Sequence, residues 1–103
     1  MIKIIDIHDD ETSIALKNVR QAIDTIGKNI LVIIHGYGSS TNSYKKLNEV
    51  RNIGRSRVKK GQISICISGP DLNDPINSAK FDYDELLQLR KFVVNSGVTI
   101  LKK

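Results

Sequence analysis

Tryptophan is absent from this 103-residue chain, cysteine occurs once and proline twice. One cysteine, Cys66, cannot close an internal disulfide, which excludes a stapled secreted scaffold and sets a reducing, cytoplasmic location as the expectation. Two phenylalanines and three tyrosines form no cluster on one strand. A sheet that stacks bases on aromatic rings is therefore not expected, and any nucleic-acid contact should be led by phosphates. Long apolar runs are missing too. The longest, Ile30 to Ile34, has five residues, against the roughly 20 of a membrane helix. No charged start leads into an apolar core with a cleavage site, so neither a signal peptide nor a membrane partner is expected. Few glycines and prolines beside 26% charged residues argue against disorder. One domain over residues 1–103 is the expectation, too short for folds of about 200 residues or more.

What is present is basic charge, and it is concentrated. Lys45, Lys46, Arg51, Arg55, Arg57, Lys59 and Lys60 are opposed between Ser43 and Lys60 only by Glu49. The segment carries +6 of a chain total of +5, so the remainder is slightly acidic. A concentrated basic element steers polyanions, although a helix of this composition can equally be a solvated face.

The hydrophobic pattern alternates strand and helix. Residues 2–8 read as a strand, with Ile5 and Ile7 on one face and Ile2, Ile4, Asp6 and His8 on the other. Asp9, Asp10 and Glu11 supply a cap and acidic charge for a helix reaching about Ile26, with Leu16, Val19, Ile23 and Ile26 on its inner stripe. Ile30 to Ile34 reads as a strand buried on both faces, parallel to the first across a short helical crossover. The basic helix follows a small-residue loop and stops at Gly61. Ile63, Ile65 and Ile67 alternate in a third strand. Residues 71–81 read as loop with one helical turn after Asp74-Pro75. Asp82 or Asp84 caps a short helix carrying Leu86, Leu87, Leu89 and Phe92, and Val98 to Leu101 closes the chain as a strand.

In a parallel pair both strands end at the same sheet edge. Asp6 and His8 at the end of the first strand should therefore converge with His35 at the end of the second, in the crevice where open α/β sheets bind ligands. Gly36, Tyr37, Gly38 and Ser39 follow His35. Such a turn lets backbone N–H groups approach a phosphate, with a helix start just beyond. Two histidines beside an anion site suit phosphodiester cleavage, one as general base and one as acid, with Asp6 orienting an imidazole. His35, on a buried strand, is the first candidate for proton transfer. His8 is the second acid–base group or a phosphate contact. A dinucleotide fingerprint fails at Thr41, where the third glycine is required, and no phosphate loop or nucleophile elbow occurs, so no small-molecule cofactor is expected. Cys66 reads as a packing residue. No metal-ligand set stands out, which leaves a divalent metal open as a cofactor for cleavage.

Ile5-Asp6-Ile7-His8, then Ile33-Ile34-His35-Gly36-Tyr37-Gly38, then Gly97-Val98-Thr99-Ile100 resemble the small MutS-related (Smr) domain family. Its hallmarks are an L-D-x-H motif on the first strand and H-G-x-G after the second. The resemblance implies a two-layer βαβαββ sandwich similar to the C-terminal domain of a bacterial translation initiation factor. It also implies DNA or RNA binding, in DNA repair or RNA processing, with nicking or RNA-endonuclease activity in some members. Carried over, Asp6 and His8 match the first motif, and His35, Gly36 and Gly38 the second. Lys45, Lys46, Arg51, Arg55 and Lys59 are the candidate nucleic-acid contacts on the basic helix.

The chain departs from the family pattern in three places. Asp9 stands where many members have glycine, Ser39-Ser40-Thr41-Asn42 where many have T-G-x-L, and the section from Gly69 to Ser96 is lengthened. A carboxylate beside His8 raises the imidazole pKa and repels phosphate. Nuclease, nucleic-acid binder without cleavage, and protein-interaction domain with a solvated basic helix are the three readings that follow.

Overall fold

Four strands hydrogen-bond in the order β1-β2-β4-β3. The computed structural model describes residues 1–36 and 41–103, with the side chains of 41–43 outside that description. Along the chain come β1 (Ile2–Asp6), α1 (Thr12–Asp24), β2 (Ile30–Ile34), α2 (Thr41–Lys59) and β3 (Ile65–Ser68). A 3-10 turn (Pro70–Asn73), α3 (Pro75–Ser78), α4 (Tyr83–Leu89), a second 3-10 turn (Arg90–Phe92) and β4 (Val98–Lys102) complete it. β1 and β2 are parallel, with Asp6 opposite Ile34, and β4 runs antiparallel to both β2 and β3. The α/β class and the parallel first pair are as the sequence implied.

β2 is central because its side chains bury on both faces. Leu31 and Ile33 meet α1 and α2 through Leu16, Val19, Ile23 and Val50. Ile30 and Val32 meet a second cluster built from Leu72, Phe81, Leu89 and Phe92. Each such aliphatic side chain contributes roughly 1.5–3 kcal/mol when fully buried. The helices α1 and α2 on the sheet make the sandwich, and the section from Pro70 to Phe92 covers the sheet's other face. Lys102 pins that cover, with Nζ donating to Glu85 Oε1 at 3.0 Å and to the Lys80 carbonyl at 2.9 Å. Its ammonium also lies 5.1 Å from the Phe81 ring centroid.

Several boundaries follow local chemistry. Asp82 and Glu85 form a reciprocal capping box at α4, and the Asp74 side chain accepts from the Ile76 N–H to start α3. Gly61 ends α2 at φ +78°. Two expectations shift. β1 ends at Asp6, leaving His8 in the following turn. Glu11 occupies the N-cap of α1 without a side-chain capping bond, accepting instead from Ser13 Oγ at 3.0 Å. Gly54, in mid-helix, is explained by a close approach: a Cβ there would lie 2.5 Å from Cys66 Sγ and 3.0 Å from Leu101.

Candidate functional site

The parallel register carries the first motif and the second to one sheet edge. The Ile7 N–H donates to the Ile34 carbonyl at 2.8 Å, so His8 and His35 both follow the ends of paired strands. Beyond that shared edge the two histidines have opposite environments.

His8 is half exposed. Its Nδ1 hydrogen-bonds Asp6 Oδ1, and its backbone N–H donates to the same oxygen at 3.2 Å. Its Nε2 lies 3.1 Å from Asp9 Oδ2. An ionised carboxylate can only accept, so a ring with one at each nitrogen is held as the doubly protonated imidazolium. The bond from Asp6 and the charges of Asp6 and Asp9 accordingly hold the His8 pKa above its ordinary 6.5. The same bond holds the Asp6 carboxyl below its ordinary 3.8. Asp9, expected as a cap, thus serves as a partner of His8.

His35 has no exposed surface. Its Nε2 lies 2.8 Å from Thr99 Oγ1 and its Nδ1 3.0 Å from the Gly36 carbonyl. A carbonyl can only accept, so Nδ1 carries the proton and Nε2 accepts from the Thr99 hydroxyl. Burial pushes the ring's pKa down to about 4, leaving it neutral near pH 7. The expectation that His35 leads proton transfer is thus at odds with its placement, since both ring nitrogens are spent inside the protein. Position alone could not reveal this, because the end of a buried strand can turn a side chain inward or outward.

The glycines make that inward turn feasible. Both the His35 and Gly36 N–H groups donate to the Gly97 carbonyl, at 3.0 and 3.1 Å, and Gly36 has φ +93°. A Cβ on Gly97 would stand 2.7 Å from the Gly36 carbonyl carbon. Tyr37, Gly38 and Ser39, expected to cradle a phosphate with Gly36, lie outside the described residues.

The cations of α2 divide four ways, and Arg57 is the ion-paired one, with Nη1 donating to Asp24 Oδ1 and to Gln62 Oε1 at 2.8 Å. Lys46 is buried and donates to the Ile7 and His8 carbonyls. Arg51 is half-buried, with Nε donating to Thr99 Oγ1 at 3.3 Å and Nη2 to the Ser96 carbonyl at 3.0 Å. Lys45, Arg55 and Lys59 are exposed, and none has a carboxylate partner among the described residues. A cleft joins His8 and Asp9 to Asp10, Glu11, Lys45 and Glu49, so its lining is mixed in sign rather than uniformly basic. Among the described residues no group of three His, Cys, Asp or Glu side chains is placed to hold a metal, and no helix is long and apolar enough to cross a membrane.

Sequence reasoning missed Thr99, which links His35 to Arg51. The available signal was one polar residue inside the apolar run Val98-Thr99-Ile100-Leu101. Comparison with protein-family models, with curated proteins and with solved structures finds no match to this chain.

Proposed function

We propose that this chain is a nucleic-acid-binding domain of the Smr kind, which meets the phosphate backbone with the outer face of α2. The observation that carries the reading is the unpaired charge there. Arg55 and Lys59, one helical turn apart, and Lys45 near the helix start are exposed and have no carboxylate partner among the described residues. Cations left without carboxylates on one helix face are the electrostatic footprint of phosphate recognition. Lys46 belongs to the architecture, with its ammonium turned toward β1. Binding to mixed-sequence duplex and single-stranded RNA across a salt series tests the reading. Replacing Lys45, Arg55 and Lys59 by Ala should flatten the slope by roughly 2–3 units on B-DNA. A wild-type affinity indifferent to salt would leave the helix as a solvated face and favour a protein partner.

If the domain also cuts, the Asp6–His8 pair is the catalytic group. Asp6 fixes the imidazolium through Nδ1, and Nε2 is the proton it can give to a leaving oxygen. Asp9, 87% exposed, would have to leave Nε2 first. His35 is a positioning residue in this scheme. His8→Ala should slow cleavage by about 100-fold or more, and product analysis with and without chelator tests for a metal. The contact of Asp9 with Nε2 favours a second reading, binding without cleavage. Under that reading no product forms in either condition, while the salt slope persists.

A further inference from the structure

A second cationic feature lies next to buried His35 across Thr99, where α2 packs on the edge strand β3. Arg51 and Arg55, one helical turn apart, line a cleft of about 280 Å³ with Cys66, Ile67 and Ser68 of β3 and with Asp71 of the following 3-10 turn. Like charges at this spacing destabilise a helix, so their pairing calls for a compensating role. Compensation from within is partial, with the Asp71 charge acting on Arg51. Asp71 is the one carboxylate in the lining, and its Oδ2 already accepts from the Ser68 N–H at 3.1 Å. Burial pushes the Cys66 thiol up, so it stays neutral and adds no negative charge. Two guanidiniums against one engaged carboxylate leave the cleft cationic.

Arg51 is also held in advance. The Thr99 hydroxyl and the Ser96 carbonyl take its Nε and Nη2, and Thr99 is itself fixed by buried His35. Its Nη1 makes no hydrogen bond among the described residues, and Arg55 makes none there at all. A preorganised guanidinium beside a second, unengaged one is the arrangement that grips phosphate oxygens in parallel bonds. The cleft is small for a ligand pocket, and α2, β3 and the 3-10 turn each form part of its wall. A space of about 280 Å³ suits a single phosphate group rather than a run of nucleotides.

We infer that the Arg51–Arg55 cleft is a subsite for the terminal phosphate monoester of a bound nucleic-acid strand, with Ser68 as an additional hydrogen-bonding contact. The inference rests on the nucleic-acid reading and adds to it a preference for strand ends that carry phosphate. The buried histidine then acts through Thr99, as the support that keeps Arg51 aimed.

The test compares short single-stranded oligonucleotides that differ only in ending in a 5′-phosphate, a 3′-phosphate or hydroxyls. Inorganic phosphate is titrated in parallel against the amide spectrum of the whole chain. One phosphorylated end should bind about tenfold tighter than the hydroxyl-ended strand, as expected for charge-assisted hydrogen bonds. Arg55→Gln, at an exposed position, should bring that ratio to about one without the folding risk of Arg51→Gln. Equal affinity for all ends in the wild type overturns the subsite while leaving nucleic-acid binding intact. Absence of oligonucleotide binding, with inorganic phosphate still shifting the Ser68 and Asp71 amides in an Arg55-dependent way, overturns the strand and keeps the phosphate site. Absence of both effects overturns both.

Discussion

Lys46 Nζ donates to the carbonyl oxygens of Ile7 and His8, at 2.9 and 2.8 Å, and so ties α2 to the end of β1. These carbonyls lie where the chain turns from β1 toward α1, and the lysine that reaches them is buried. Lys46→Met keeps the stem, removes the donor to the His8 carbonyl and leaves the Ile7 carbonyl only the Asp10 N–H at 3.1 Å. It should cost about 1–3 kcal/mol in urea unfolding. Lys45→Ala should leave stability nearly unchanged and flatten the salt slope of nucleic-acid binding by roughly one unit. Equal salt effects from the two lysines would contradict the inward placement of Lys46.

The Asp6–His8 pair predicts a pH window. His8 has a folded pKa above 6.5, so its stabilisation is complete below that value and fades as pH rises through the folded pKa. Asp6 is lowered from 3.8, so its part is present above that value and is lost as pH falls through its folded pKa. The pair is therefore whole between about pH 4 and 6.5. Titration of the His8 ring protons by NMR should show the raised midpoint, and Asp6→Asn should move it back toward 6.5. A midpoint indifferent to Asp6→Asn would remove the orienting role.

His35 predicts the opposite slope. The unfolded chain protonates this ring near 6.5 and the folded chain only near 4, so between those values the unfolded state binds more protons. Stability should fall as pH drops across that interval, by up to roughly 3 kcal/mol. His35→Gln removes the titrating group and should abolish that component, whatever its cost at pH 7. Urea midpoints at pH 7 and 4.5 for both proteins check this.

Gly97 predicts a steric effect at the same place. Its added methyl would meet backbone of Gly36 at 2.7 Å, and its carbonyl receives two N–H groups from that strand end. Gly97→Ala should destabilise by about 1–3 kcal/mol, seen in thermal unfolding. An unperturbed Tm would mean that the two segments separate without loss.

The sequence alone determined the elements and the parallel pairing of the first two strands. Unbroken Ile30 to Ile34 could be satisfied only between two apolar layers, and a single short helix joins it to β1. Asp82, one of two candidate caps for the short helix, and Gly61 after the basic helix were legible because caps and stops depend on neighbours in the chain. The meeting of Asp6 with His8 was legible too, because the two are close in the chain, although His8 lies in the turn after β1 rather than in the strand. Only the tertiary structure decided the rest. Lys46 and Arg51 differ from Lys45 and Arg55 by where α2 touches β1, β3 and β4, which no helical period specifies. The burial of His35 required Thr99, 64 residues away, to supply its partner on β4. The section from Pro70 to Phe92 became a layer because Ile30, Val32 and Ile100 exposed a second apolar face that needed cover. Local pattern records what a residue offers to its neighbours in the chain, whereas burial and hydrogen-bond partners are set by surfaces that meet only after folding.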